Sequence, residues 1–345
     1  MCEAPVVIEV VRGTTLESRH RAIVSVVDAL GNRLVSFGDT SFVTYLRSSA
    51  KPFQAMPLVL SGAAKHFGFT PREVAVVCGS HTGESFHTET VEMILAKIGA
   101  SADSLQCGIH VPFDAETAKR LGESGITVLH NNCSGKHAGM LALAQFHGHE
   151  INTYLEPEHP VQREVLHVLS RFASMKPDEI GIGVDGCSAP NFAMPVEKMA
   201  LMYARLVNPD ANHFDGSFAS TARVIVRAMA EHPEMVGGKM RLDTDLIRAS
   251  QGKIISKVGA EGVYTMGVLP NRQFPNGLGI AIKIESGDVG RIRNLVAVEV
   301  LRQLGALDEV MLENLSAYRD GELKNHRGIK VGEIRPAFEL KVNHE

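Results

Sequence analysis

Apolar and polar positions follow two different periods along this chain, and the two periods occupy different regions. Near the N-terminus, residues 6–11 and 20–27 carry the pattern of strands, and Gly31-Asn32 marks a turn into a third strand near 33–38. Another strand-like run, Ser41-Phe42-Val43-Thr44-Tyr45-Leu46, leads into an apolar segment that suits a helix from Ser48 to about Leu60. Pro57 should kink that helix or end it early. Val74-Ala75-Val76-Val77 reads as a short apolar strand. Helical periodicity then takes over, at 84–98, at Ala138–Ala144 where Cys133–His137 leads into another helix start, at 158–173 and at 195–207, with one β-like run at 180–184. Strands return at 253–257, 262–268 and 278–284, before a long helical stretch from about 288 to 305. The polar tail, 319–345, holds a short strand-like run at Gly328-Ile329-Lys330-Val331-Gly332.

Strands at both ends and helices between them predict an α+β fold. The N- and C-terminal strands would share one antiparallel sheet, and residues from about 48 to 250, largely helical, would pack on it. No internal repeat, low-complexity segment or Pro/Gly/Ser-rich linker divides the sequence, so residues 1–345 are expected to form a single catalytic unit.

Composition narrows the function classes. Hydrophobic residues make up 44% and charged residues 21%, enough for a sizeable core and typical of globular chains. No window reaches the roughly 18 apolar residues of a membrane helix. A net charge of −4 without a basic run argues against a nucleic-acid partner, and the absence of Trp argues against a sugar- or base-stacking platform. Cys2, Cys78, Cys107, Cys133 and Cys187 are odd in number and widely spaced, which suits thiols in a reducing compartment. Met1-Cys2-Glu3-Ala4-Pro5 lacks the basic-then-apolar order of a secretory leader, so a cytoplasmic protein is expected.

The chemistry starts at Ser48-Ser49-Ala50-Lys51. If a helix begins here, Ser48 and Lys51 lie one turn apart on one face. A serine hydroxyl is a poor nucleophile until something takes its proton, and a desolvated neutral lysine can do so. Alone, Ser-x-x-Lys occurs by chance and also describes a helix cap followed by a solvated lysine. Two further motifs follow in order. Cys78-Gly79-Ser80-His81-Thr82-Gly83 puts a serine in a glycine-rich turn, and Lys257-Val258-Gly259 puts a lysine at the end of a strand. Serine hydrolases of the penicillin-binding and β-lactamase type carry Ser-x-x-Lys, a serine loop and Lys-Thr-Gly in the same order. Here Val258 replaces the threonine, and Ser80-His81-Thr82 replaces the usual serine triplet, which points to a cousin with another substrate.

Longer motifs sharpen this. Leu46-Arg47-Ser48-Ser49-Ala50-Lys51-Pro52-Phe53-Gln54, Cys78-Gly79-Ser80-His81, Asn131-Asn132-Cys133-Ser134-Gly135-Lys136-His137, Asp185-Gly186-Cys187-Ser188-Ala189-Pro190 and Lys257-Val258-Gly259-Ala260-Glu261-Gly262 resemble the L-asparaginases of the rhizobial, or thermolabile, type. The resemblance runs nearly end to end, including Val331-Gly332-Glu333-Ile334-Arg335-Pro336. It implies hydrolysis of L-asparagine to L-aspartate and ammonia, a serine β-lactamase/penicillin-binding-protein-like fold and a homodimer. It also implies two Ser–Lys pairs, Ser48 with Lys51 and Ser80 with Lys257, and a zinc ion held by Cys133, Lys136 and Cys187. The residues alone do not indicate that metal. Cys133-x-x-Lys136 with a distant Cys187 matches no common zinc spacing, lysine is a rare ligand, and on the residues alone two buried structural cysteines are the better reading.

For the handles of asparagine, Arg47 and His81 are candidates for the α-carboxylate, and Glu261 or Asp185 for the α-ammonium. Arg47 can equally form a structural ion pair, and Glu84 suits the first turn of a helix. Two rival functions stay open: a penicillin-recognising hydrolase or esterase with the same Ser-x-x-Lys chemistry, and a non-catalytic zinc-dependent binding protein. Glutamine is a possible second substrate, since one methylene typically shifts discrimination by only ~1–3 kcal/mol.

Overall fold

The computed structural model describes residues 3–211, 214–287 and 290–342. Strands β1 (Val6–Arg12), β2 (Thr15–Val27) and β3 (Arg33–Phe37) open the chain, and β4 (Val43–Tyr45), β5 (Gly181–Val184) and β6 (Pro190–Pro195) belong to the middle region. Strands β7 (Ile254–Val258), β8 (Val263–Val268), β9 (Leu278–Ile284), β10 (Glu322–Lys324) and β11 (Lys330–Pro336) come last. The main sheet runs β10-β11-β1-β2-β9-β8-β7, with β3 also paired to β2, and β4-β6-β5 form a small second sheet. Every pairing is antiparallel. The expected α+β arrangement is present: N- and C-terminal strands interleave in one sheet and the helical middle packs on it.

The reason lies in the strands that meet the helices. β7 and β8 are buried along their whole length, so neither face is spared for solvent. The helix Val196–Val207 covers β9 closely: a Cβ at Gly279 would lie 1.8 Å from the Ala200 carbonyl oxygen, a separation only glycine permits. On the other face, Leu295, Val296, Val300 and Leu301 of the helix Gly290–Gln303 join a second apolar cluster with Val24, Ile280 and Ile282. Among the described residues, no helix is long and apolar enough to cross a membrane.

Two readings of the sequence change. Residues 74–77 are helix, not strand, within Pro71–Val77. The cause is local: Pro71 occupies the first turn, and Thr70 and Glu73 cap the helix reciprocally. A four-residue run of small and β-branched residues was too short to show its period. The expected single helix from Ser48 to Leu60 is a 3₁₀ turn, Arg47–Ala50, followed by Lys51–Gln54 and Met56–Leu60, with Pro57 inside the last piece. The expected helix from about 288 is Gly290–Gln303, and residues 288 and 289 lie outside the described residues, as does Cys2.

Candidate active site

Arg47 turns the chain into the site. Its φ is +52°, in the left-handed region that side chains normally avoid at a cost of roughly 1–3 kcal/mol. Asn191 Oδ1 accepts from its backbone N–H at 3.1 Å, and its guanidinium bonds Asp185 Oδ1 at 2.9–3.0 Å. Glu261 lies 3.9 Å from the same guanidinium. Arg47 is thus an ion-paired residue beside Ser48, with both candidate carboxylates grouped around it. Of the six non-glycine residues with positive φ among the described residues, four (Arg47, Ser188, Met240 and Glu261) adjoin this region, so local strain concentrates here.

Ser48 is half-buried and lines a cleft of about 210 Å³ together with Ser80, Phe113, Asn132, Arg241 and Val258. Among the described residues its hydroxyl has no hydrogen-bond partner. Ser80, 1% exposed, is placed differently. Its Oγ lies 2.9 Å from Lys51 Nζ and 2.9 Å from Lys257 Nζ. Lys51 Nζ also donates to the carbonyl oxygens of Gly79 at 2.7 Å and Asn132 at 2.9 Å, and Lys257 Nζ donates to Val258 O at 3.1 Å. Lys51 is therefore directed at Ser80, and the expected Ser48–Lys51 hydrogen bond is not formed here. Lys51, Ser80 and Lys257 nevertheless meet, the last two across a separation of 177 residues, and Ser48 lines the same cleft as Ser80.

Two close approaches bring them together. A Cβ at Gly259 would come within 2.6 Å of Leu46 O, so glycine lets the end of β7 press against the segment that precedes Ser48. A Cβ at Gly79 would lie 2.3 Å from Met235 O, which seats the Ser80 turn against the short helix Pro233–Val236. There the Ser80 N–H donates to Val236 O at 2.8 Å.

Burial sets the electrostatics. It lowers the Lys51 pKa and brings Lys257 down to about 7, with Asp243 opposing and the cations Lys51 and Arg241 assisting the shift on Lys257. At neutral pH an amine with that value is available as a base. Cys78 packs below the Ser80 turn, where burial pushes its thiol up to about 12, too protonated to act as a nucleophile.

His81, expected at the substrate, is fully buried and does not line the cleft. Its Nε2 bonds Ser134 Oγ at 2.9 Å and its ring stacks on His87 at 4.9 Å. It supports the turn that carries Ser80 from behind. Burial keeps its pKa well below the usual histidine value and takes His87 to about 4.

Cys133, Lys136 and Cys187 converge one layer away. Cys133 caps the helix Ser134–His147, Lys136 lies one turn on, and Cys187 follows β5. Lys136 Nζ lies 3.0 Å from Cys187 Sγ. A hydrogen bond from the Cys133 thiol lowers the Cys187 pKa, and Lys136 and His137 add to that. Lys136 moves the other way: burial opposes its charge, but Cys187 and Cys133 raise its pKa above the ordinary lysine value. Among the described residues, no three His, Cys, Asp or Glu side chains are grouped to hold a metal. The set reaches three donors only with the amine. Two thiolates are soft donors suited to zinc, a deprotonated amine can complete the set, and His137 adjoins Lys136 in the chain.

Sequence reasoning missed Arg241, Arg293 and Phe113 in the cleft wall, and the carbonyls of Gly79 and Asn132 that hold Lys51. For Arg241 the only available signal was Gly237-Gly238 just before a helix start. A larger concavity of about 760 Å³ lies around Asp28, Arg33, Gln273 and Asn276, but its lining contains no serine, cysteine or lysine.

The family model described as L-asparaginase II matches residues 8–336. Among solved structures, the crystal structure of native Mglu is similar at 16% identity and TM-score 0.42, over 83% of this chain and 64% of that one. A probable glutaminase from Bacillus subtilis complexed with 6-diazo-5-oxo-L-norleucine gives 13% and 0.41, over 82% and 84%. A Bacillus glutaminase in 4.3 M NaCl gives 11% and 0.40, over 82% and 91%. At these TM-scores the likenesses add nothing to the reading of the cleft. A comparison with curated proteins finds no match.

Proposed function

The chain belongs to the L-asparaginase II family of amidohydrolases, and from that premise we propose that it hydrolyses L-asparagine to L-aspartate and ammonia through a Ser48 acyl-enzyme. The observation that carries the mechanism is Ser80 Oγ held 2.9 Å from each of two buried amines. A hydroxyl so engaged is suited to passing protons. Ser80 has one proton to give and one oxygen to receive with, so a proton can move between Lys51 and Lys257 through it without displacement of heavy atoms. The hydroxyl left free to reach an amide carbon is that of Ser48, half-buried and open to the cleft.

The steps balance as follows. Ser48 Oγ bonds to the side-chain amide carbon while its proton passes to neutral Lys51, one turn away; the hydrogen bond this needs forms with substrate in place. Backbone N–H groups at the helix start around Ser48 hold the oxyanion. The C–N bond breaks as the nitrogen takes the proton back through the Lys51–Ser80–Lys257 relay, and ammonia leaves. Water then attacks the ester, its proton returns to Ser48 by the same relay, and aspartate departs. A cleft of about 210 Å³ suits a small amino acid. The Arg47–Asp185–Glu261 group beside Ser48 offers carboxylate for the α-ammonium.

Cys133, Lys136 and Cys187 would hold zinc, whose Lewis acidity would polarise a carbonyl oxygen when bound. A homodimer in the cytoplasm completes this reading, and four free buried cysteines suit that reducing compartment.

Ammonia release from L-asparagine tests the proposal. Exchange of Ser48 for alanine should lower kcat at least ~100-fold, and mass spectrometry of quenched wild type should find an added 2-aminosuccinyl group on Ser48. Unchanged turnover in that variant refutes the assignment. Metal analysis of protein purified without chelator should find zinc in wild type and lose it in Cys187→Ala.

A further inference from the structure

One guanidinium of the cleft, that of Arg241, has no hydrogen-bond or ion-pair partner among the described residues. Arg241 lines the cleft beside Ser48 and Ser80, and it also lines an adjoining cavity of about 220 Å³ with Asp243, Tyr264 and Arg293. Among the described residues, Arg241 makes no side-chain hydrogen bond and no ion pair. Its one contact of that kind is with Phe113, whose ring centroid lies 5.3 Å from the guanidinium carbon. A contact of that sort uses none of the guanidinium N–H groups in a hydrogen bond. Arg293, which lines the same cleft, donates to Gly259 O at 3.4 Å, and Arg47, next to Ser48 in the chain, is already matched to Asp185 at 2.9 Å.

The loop that presents Arg241 is held in an unusual backbone. Gly238 has φ +113° and Met240 φ +58°, the latter 82% exposed and so not held there by burial. The loop is tied to the Ser80 turn instead. Glu84 Oε2 accepts from the Lys239 N–H at 3.1 Å and from Thr82 Oγ1 at 2.8 Å, and the Gly238 N–H donates to Thr244 Oγ1 at 2.9 Å. Hence Arg241 is placed relative to Ser80 by a chain of hydrogen bonds, rather than left as a surface side chain that happens to reach the cleft.

We propose that Arg241 receives the α-carboxylate of the substrate and sets the requirement for one. A guanidinium edge matches a carboxylate with two parallel hydrogen bonds, and such a charged pair is stronger than a neutral one. The geometry then divides the substrate: α-ammonium toward Asp185 and Glu261, α-carboxylate toward Arg241, and the side-chain amide between them at Ser48. This rests on the amidohydrolase reading for the identity of the ligand.

Two fragments of asparagine separate the handles. Succinamate keeps the carboxylate and lacks the ammonium; β-alaninamide keeps the ammonium and lacks the carboxylate. Calorimetric titration into full-length Ser48→Ala protein, with and without Arg241→Gln, reads binding without turnover. Arg241→Gln should weaken succinamate about 10- to 100-fold and leave β-alaninamide within about twofold, with Arg241→Lys intermediate. Equal succinamate binding with and without Arg241 overturns the proposal, and so does equal loss of both ligands. Ammonia release by wild type judges the amidohydrolase reading separately.

Discussion

Three lysines are buried to the same degree in two neighbouring places, and they behave in opposite ways. Lys51 and Lys257 in the cleft are 1% and 0% exposed, and Lys136 by the cysteines is 3% exposed. Desolvation alone would pull all three down. Lys257 does fall, to about 7, whereas Lys136 rises above the ordinary lysine value. The difference is the neighbour. Lys257 faces a neutral hydroxyl and two cations, Lys51 and Arg241, and Asp243 offsets only part of its burial. Lys136 faces a sulfur whose own acidity has been increased. One region stores a base, and the other stores an ion pair or, with metal, a ligand set. Burial makes a lysine adjustable, and the partner decides the direction.

The comparison is broken most severely by removing the far amine of the relay. Lys257→Met should cost about 10²–10⁴ in kcat yet leave urea stability unchanged or higher, because an apolar chain replaces a desolvated amine. A variant that loses activity and unfolds together would mean Lys257 is structural. Cys187→Ala should do the reverse to the other region: in chelator-treated protein it leaves Lys136 buried without its sulfur, costing about 3–5 kcal/mol of stability in urea unfolding.

A smaller effect follows from pH. Burial holds His87 at about 4 and His81 well below the usual value, so the unfolded chain binds more protons than the folded one between pH 6.5 and 4. Stability should therefore decline as pH falls through that window, on the order of 1.4 kcal/mol per pH unit for each histidine. Unfolding midpoints at pH 7, 6 and 5 would measure it, and a flat series would mean these rings are hydrated. The smallest effect is on the rate profile. kcat/KM should rise with pH through about 7 as Lys257 loses its proton. Arg241→Gln, which removes a nearby cation, should move that limb upward by less than about one unit.

Much of the fold could be read from pattern. The helix Ser85–Lys97 and strands β7 to β9 lie within a residue or two of expectation, because long periodic runs state which face is buried. The run 74–77 failed because four residues cannot distinguish a buried strand from a buried helix, and the Thr70–Glu73 capping pair that decides it lies outside the run. His81 shows a similar limit within the site. Adjacency to Ser80 suggested contact with substrate, yet the turn directs it inward against His87 and Ser134.

Sequence alone determined the inventory: strands at both ends, a helical middle, two serines and two lysines in a telling order, and a pair of cysteines with a lysine. Only the tertiary structure decided that Ser80 rather than Ser48 sits between the amines, that Lys257 is the weakly basic lysine and Lys136 the strongly basic one, and that Arg241 enters the cleft. The physical reason is range. Periodicity and capping act over a few residues and are written locally, while a pKa or an unclaimed donor depends on what the folded chain brings within a few ångströms from positions as distant as Ser80 and Lys257.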